Sequence, residues 1–296
     1  MANGSRRSAP AASVVGFKPV LDDLVRSFEC ATHVADPVRV LVRYPDLADR
    51  ELAAFVAAGL AFGRVQSVIN SVEAVLAVLG PHPARWVTRF DAARDGHRLQ
   101  PIVHRWTRGD DLIALLAVLR DILRRAGSLE GFFSEGLAPD AVDVREAIES
   151  FSTRACALLP RGTDARTIRG VRYFFARPSA GSACKRLNLF LRWMVRHDAI
   201  DPGGWTRVRP AQLVVPLDVH VIRVGRCLGL TRRKSPGWEM AADITEGLRR
   251  IDAADPVKYD FALCHLGMLG QCHYGRPESP AGPCPLSGFC RPRRRS

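Results

Sequence analysis

The stretch P-L-D-V-H-V-I-R-V at residues 216–224 carries most of the information about how this chain folds. Asp218 stands where a helix N-cap is expected, because a carboxylate there accepts hydrogen bonds from the free N–H groups of the first turn. The residues that follow predict a helix over 219–228, with Pro216 just before it. The stretch therefore holds a carboxylate at the start of a helix.

A second informative stretch lies upstream, where a turn of small residues at 178–183 precedes a predicted helix over 185–196. Lys185, Arg192 and Arg196 fall on one line of that helix. Only four of the 43 basic residues of the chain are lysines. Because Arg is not deprotonated in proteins, only a Lys can act as an amine nucleophile, and Lys185 is therefore a candidate.

Apolar residues elsewhere follow the helical period, and strand-like alternation is rare and short. The sequence therefore predicts an all-α fold, with Asp110 or Asp111 as the N-cap of one helix and Gly127 at its end. Residues 80–108 show no clear period and are left unassigned. The other predicted helices span about 52–63, 65–79, 140–159, 237–250 and 255–269.

Composition and charge limit the class of protein. The 296 residues are 47% hydrophobic, which excludes a disordered or collagen-like chain. A net charge of +13 predicts a polyanionic partner, with nucleic acid favoured over an anionic membrane surface. No apolar run reaches the roughly 20 residues of a membrane span, and Met1–Ser13 lacks the apolar segment of a secretory signal. We therefore expect a cytoplasmic protein.

Four of the eight cysteines fall within the last 33 residues and are spaced C-x7-C-x11-C-x5-C. This segment is rich in Gly and Pro and has few apolar residues, so a bound metal would supply folding energy. Zinc sites usually contain tight C-x2-C pairs, and none occurs here, which favours a [4Fe–4S] cluster over zinc. The predicted ligands are Cys264, Cys272, Cys284 and Cys290. Cys264 also suits a helix core, and His265 and His273 are possible substitutes.

These segments together resemble the helix-hairpin-helix DNA glycosylases of the endonuclease III type. Residues 217–224 resemble their D-x-H-[IV]-x-R segment, and Cys284-x5-Cys290 matches the last interval of their iron–sulfur loop. Their catalytic Lys follows a Gly-containing hairpin, as Lys185 follows residues 181–184. Here Ala183 replaces the second Gly of the hairpin, and one cysteine of the family's loop is absent.

The resemblance implies a two-lobed glycosylase-like fold with a C-terminal cysteine loop. It predicts a disordered basic tail at 1–16, a helical domain with the hairpin at 51–204, and a second domain from 17–50 plus 205–296. A more specific similarity covers about residues 20–270, in phrases such as C-K-R-L-N at 184–188 and D-P-V-K-Y-D-F at 255–261. This similarity is to a bacterial family described as domain of unknown function 2400, and it implies no activity.

The glycosylase resemblance implies a base-excision DNA glycosylase and AP lyase, with Lys185 as the nucleophile and Asp218 as its electrostatic partner. Arg186 and Arg192 would lower the pKa of the amine. The backbone N–H groups of Gly181 and Ser182 in the hairpin are predicted to bind a DNA phosphate. Arg64 or Gln66 is predicted to fill the gap that the extruded base leaves in the duplex. The remaining predicted DNA contacts are Arg186, His220 and Arg223.

Each assignment has a simpler alternative. Lys185 would otherwise be a solvated residue that opens a helix, Asp218 an ordinary N-cap, and His220 and Arg223 ordinary helix-surface residues. For the whole protein, the alternative is a non-catalytic DNA- or RNA-binding iron–sulfur protein on a glycosylase-derived fold. The expected partner is double-stranded DNA in the nucleoid. The sequence implies no membrane and no protein partner, and it predicts a monomer.

Overall fold

The computed structural model describes residue 16 and residues 18–29, 36–272 and 284–289. Within these ranges the regular structure is helical, and only two isolated β-bridges lie outside the helices. The prediction of an all-α protein is therefore confirmed. The α-helices are α1 (Lys18–Glu29), α2 (Leu47–Gly59), α3 (Val65–Leu79), α4 (Pro83–Thr88), α5 (Ala92–Asp95), α6 (Gly109–Ala126), α7 (Leu129–Ser134), α8 (Arg145–Cys156), α9 (Ala165–Arg172), α10 (Lys185–Val195), α11 (Val219–Cys227), α12 (Trp238–Arg249) and α13 (Asp260–Met268). Short 3-10 helices include Pro37–Arg43, Pro178–Ala180 and Pro256–Tyr259.

Side-chain caps set several helix boundaries. Helix α3 has the predicted bounds, but the helix predicted over 52–63 lies earlier, as α2. Its N-cap is Asp46, whose carboxylate accepts from the N–H groups of Ala48 and Asp49 at 3.0 and 3.2 Å. A strong N-cap thus extends α2 toward the N-terminus beyond the apolar run that predicts it.

Helix α6 also begins earlier than predicted, at Gly109, where a Cβ would lie 2.5 Å from the Cα of Gln100. The N-cap is Arg108, and Asp111 accepts from its N–H at 2.8 Å. The predicted N-cap, Asp110 or Asp111, therefore lies two or three residues too late. Gly127 ends the helix with φ +77°, as predicted.

Residues 80–108, which the sequence leaves unassigned, form α4, α5 and a β-bridge between His104 and Thr107. The carboxylate of Asp49 in α2 accepts from the N–H of Ala84 at 2.8 Å and so caps the first turn of α4. Because this partner comes from another helix, local periodicity gives no sign of it.

Two packed helix pairs position the site. Helix α10 packs on α2, and α11 packs on α13. In the first pair, Phe55 of α2 meets Phe190 of α10 with ring centroids 5.3 Å apart. Phe190 also meets Trp205, whose indole N–H donates to the buried carboxylate of Glu51 in α2 at 2.6 Å. These contacts fix the helix that begins with Lys185.

Buried apolar side chains from across the described ranges form one continuous core. The division into domains at 51–204 and at 17–50 plus 205–296 stays a prediction, and the tail predicted at 1–16 lies outside the described residues except for residue 16. None of the described helices combines the length and the apolar character that crossing a membrane requires.

Candidate active site

A cavity of about 530 Å³ lies where α10, α11 and α13 meet, and Lys185, Asp218 and Cys264 all line it. Its apolar walls include Phe62, Trp193 and Phe261. A volume of this size falls in the range of small-molecule sites. Lys185 and Asp218 are 33 positions apart in the chain, and the fold brings both to this one cavity.

Asp218 is fixed by three donors. It is the N-cap of α11, and its Oδ1 accepts from the N–H groups of His220 and Val221 at 2.9 and 2.8 Å. Its Oδ2 accepts from the thiol of Cys264 at 3.1 Å. The N-cap interpretation of Asp218 is thus confirmed, and the same carboxylate also faces the cavity.

Cys264, which the sequence predicts as a cluster ligand, contacts Asp218 in this structure. Burial, with the carboxylates of Asp218 and Asp260, raises the pKa of this thiol well above its usual range, and Lys185 acts in the opposite direction. His265, its possible substitute, also lines the cavity. The assignment of Cys264 as a cluster ligand stays a prediction.

The segment before α10 holds Lys185 at the first position of the helix. Gly181 has φ +77°, and the second left-handed residue is Cys184, with φ +49°, rather than Ala183. A non-glycine residue in this region costs about 1–2 kcal/mol. The Cys184 N–H donates to the Ser182 hydroxyl at 3.0 Å, and the buried thiol contacts the Ala176 carbonyl. Lys185 itself forms no hydrogen bond or ion pair with any described residue.

Arg192 is not the free cation that the sequence places beside Lys185. It is 3% exposed and binds Asp201 through two hydrogen bonds of 3.0 Å. It also donates to Asp260 at 2.8 Å. Burial opposes its charge, but the Asp201 and Asp260 carboxylates outweigh that effect and raise the pKa of Arg192. Arg192 lines the cavity, but its charge is neutralised by these two carboxylates.

Arg186 is likewise directed into the protein. Its guanidinium lies 3.2 Å from the ring centroid of Tyr173 and donates to the Tyr173 and Gly59 carbonyls. Burial lowers its pKa to about 10. In this conformation Arg186 braces α10 against Tyr173, and its assignment as a DNA contact stays a prediction.

The other predicted DNA contacts lie around the cavity. Arg64 and Gln66 are exposed and flank Val65, which lines the cavity. Gln66 also donates to Asn70 at 2.9 Å. His220 lines the cavity, and both His220 and Arg223 have one buried nitrogen without a hydrogen-bond partner among the described residues. These assignments stay predictions, as do Gly181 and Ser182.

Asp260 is a site residue that the sequence analysis missed. It is the first residue of α13 and lines the cavity. Burial raises its pKa to about 6, although Arg192 opposes the shift. The sequence did contain one sign of this partner. Arg192 lies on a face of α10 that also carries core residues, and a buried arginine requires acidic partners from elsewhere in the chain.

The described structure therefore defines an all-helical protein with a cavity that presents a lysine and an aspartate. The profile of a family described as "Protein of unknown function (DUF2400)" matches residues 36–269, and the chain belongs to this family. No curated protein matches the chain significantly.

Proposed function

We propose that this protein is a DNA glycosylase with AP lyase activity that removes a damaged or mismatched base from double-stranded DNA. The observation that carries the proposal is the convergence of Lys185 and Asp218 on one cavity from separate helices. An enzyme that acts on a base in a duplex must extrude it into a pocket. A cavity of about 530 Å³ with aromatic walls suits such a base.

The chemistry follows from the two side chains. The Lys185 amine would attack the sugar C1′, and the bond from C1′ to the base would break, with its electron pair and a proton leaving on the base. The resulting N,O-acetal would open to a Schiff base as the ring oxygen takes up a proton. Loss of a C2′ proton to solvent would then expel the 3′ phosphate and cleave the strand. The Asp218 carboxylate would stabilise the cationic sugar during bond cleavage.

Incubation with duplexes that each carry one lesion tests the proposal. We expect base release from at least one duplex and, with borohydride present, a covalent protein–DNA adduct. The alternative is a non-catalytic DNA- or RNA-binding protein, and the use of both Asp218 oxygens by internal donors favours it. Salt-dependent DNA binding without base release from any duplex would support that alternative.

Replacing Asp218 by Asn separates its two roles. Asn caps helices about as well as Asp, so α11 should remain folded. The variant loses the negative charge, and we expect base release to slow by about 10²–10³-fold. Single-turnover rates measure this effect.

Asp164→Asn is the matched control, because Asp164 caps α9 through two backbone N–H groups in the same way. It does not line the cavity. Equal rates for the two variants would show that the charge of Asp218 has no catalytic role.

We also propose a structural [4Fe–4S] cluster held by Cys264, Cys272, Cys284 and Cys290, with zinc as the alternative metal. Cys272 and Cys284 are buried. Burial raises the pKa of the Cys284 thiol, and the Cys272 thiol acts in the same direction, so the two thiols are neighbours. These two thiols fit two corners of a cluster. Cys290 lies outside the described residues, and those residues contain no group of three or more potential ligands.

Metal analysis of anaerobically purified protein tests this assignment. We expect iron and sulfide in the wild type, and loss of both in Cys284→Ala and in Cys264→Ala. Zinc without sulfide would identify the alternative metal. Retention of iron and sulfide in Cys264→Ala would exclude Cys264 as a ligand.

A further inference from the structure

An exposed basic segment connects α11 to α12. We call residues 232–236 the basic loop; it begins with the consecutive residues Arg232, Arg233 and Lys234, all of which are exposed. Arg233 has internal partners, since its Nε donates to Asp243 at 2.9 Å. Among the described residues, Arg232 and Lys234 have no ion-pair partner. Two cations of this loop are thus available to an external anion.

The backbone of the basic loop is held in place by a third arginine. Arg226 of α11 donates to the carbonyls of Arg233 and Lys234 at 3.0 and 2.8 Å. The Arg233 N–H also donates to the Thr231 hydroxyl at 3.2 Å. A loop fixed in this way presents its charges with a smaller entropy cost on binding.

The position of the basic loop connects it to the candidate site. Pro236, its last residue, lines the cavity together with Lys185 and Asp218. At the next residue, Gly237, a Cβ would lie 3.0 Å from the carbonyl oxygen of Gly181 in the hairpin. The loop therefore lies between the rim of the cavity and the hairpin.

We propose that Arg232 and Lys234 bind the DNA phosphodiester backbone beside the nucleotide that enters the cavity. This inference rests on the proposed function and adds a second phosphate-binding element to the hairpin amides. Cationic side chains bind phosphate without reading base edges, so the loop would position the duplex rather than select its sequence. Because Pro236 at the end of the loop lines the cavity, this contact would lie on the same side of the protein as the entering nucleotide.

Salt-dependent binding of a 20-base-pair duplex tests the proposal. The duplex carries one tetrahydrofuran abasic-site analogue and a fluorescent label, and anisotropy is measured from low to high salt. Each phosphate contact contributes about 0.9 to the slope of log K against log salt. We expect Arg232→Gln/Lys234→Gln to lower the slope by about 1.8, which corresponds to about a 60-fold loss of affinity at 0.1 M relative to 1 M salt.

Arg85→Gln/Arg125→Gln is the control, because it removes the same charge from exposed residues of α4 and α6, two helices with no residue in the cavity lining. It should change the slope much less. Equal slopes for the two double variants would overturn the role of the loop while leaving the proposed function intact if the wild type releases a base. Absence of salt-dependent binding by the wild type would overturn both proposals.

Discussion

Replacing Lys185 by Gln is expected to abolish the borohydride-trapped adduct and strand cleavage, a loss of about 10³-fold or more. Gln is similar in length and polarity but has no amine, so the Schiff base cannot form. Because Lys185 has no internal partner among the described residues, the substitution should leave the fold intact. Denaturing gels of the trapped complex measure the loss directly.

Lys18→Gln provides the matched control, since Lys18 lies on α1 and pairs at the surface with Asp22 at 2.8 Å. This variant should form the adduct at the wild-type rate. An adduct that persists in Lys185→Gln would move the nucleophile to another amine. Retained DNA affinity in Lys185→Gln would show that the loss concerns chemistry rather than binding.

Arg192→Met is expected to lower the free energy of unfolding by about 3–5 kcal/mol. The substitution keeps the apolar stem but leaves Asp260 buried without a cation and Asp201 with Arg196 alone. Breaking a buried ion pair costs this much. Both carboxylates are almost fully buried. Urea denaturation followed by tryptophan fluorescence measures the change, and Arg125→Met at an exposed position should stay within about 0.5 kcal/mol.

The decrease in the free energy of unfolding caused by Arg192→Met should also depend on pH. Burial raises the pKa of Asp260 to about 6, so the folded state binds this proton more tightly than the unfolded state, and folding gains stability as the pH falls toward 4. Without Arg192 the preference for the protonated form should increase. The variant should therefore lose less stability at pH 5 than at pH 8. An equal loss at both pH values would contradict the ion cluster described here.

Local signals predicted much of the helical framework. Helix α3 has the predicted bounds, α10 and α11 are each one residue shorter than predicted, and Asp218 caps α11 as expected. These features depend on residues within one turn of each other, which a single sequence displays. The predicted turn before Lys185 is also present, with Gly181 and Cys184 as its left-handed residues.

The errors arise where a partner comes from a distant part of the chain. Arg186 faces Tyr173 rather than solvent, and Arg192 is neutralised by Asp201 and Asp260. Periodicity assigns each arginine to a face of its helix but does not identify what packs against that face. The contact of Cys264 with Asp218 escaped prediction for the same reason, because it joins α13 to the start of α11.

The buried ion cluster of Arg192, Asp201 and Asp260 also limits how the cavity can be redesigned. It ties the helix that begins with Lys185 to the helix that carries Cys264, so a substitution within it would disturb both walls together. Val219 and Met268 line the same cavity and are 67% and 43% exposed. A combinatorial library aimed at a new ligand would therefore randomise these rim positions and keep the three charged residues constant.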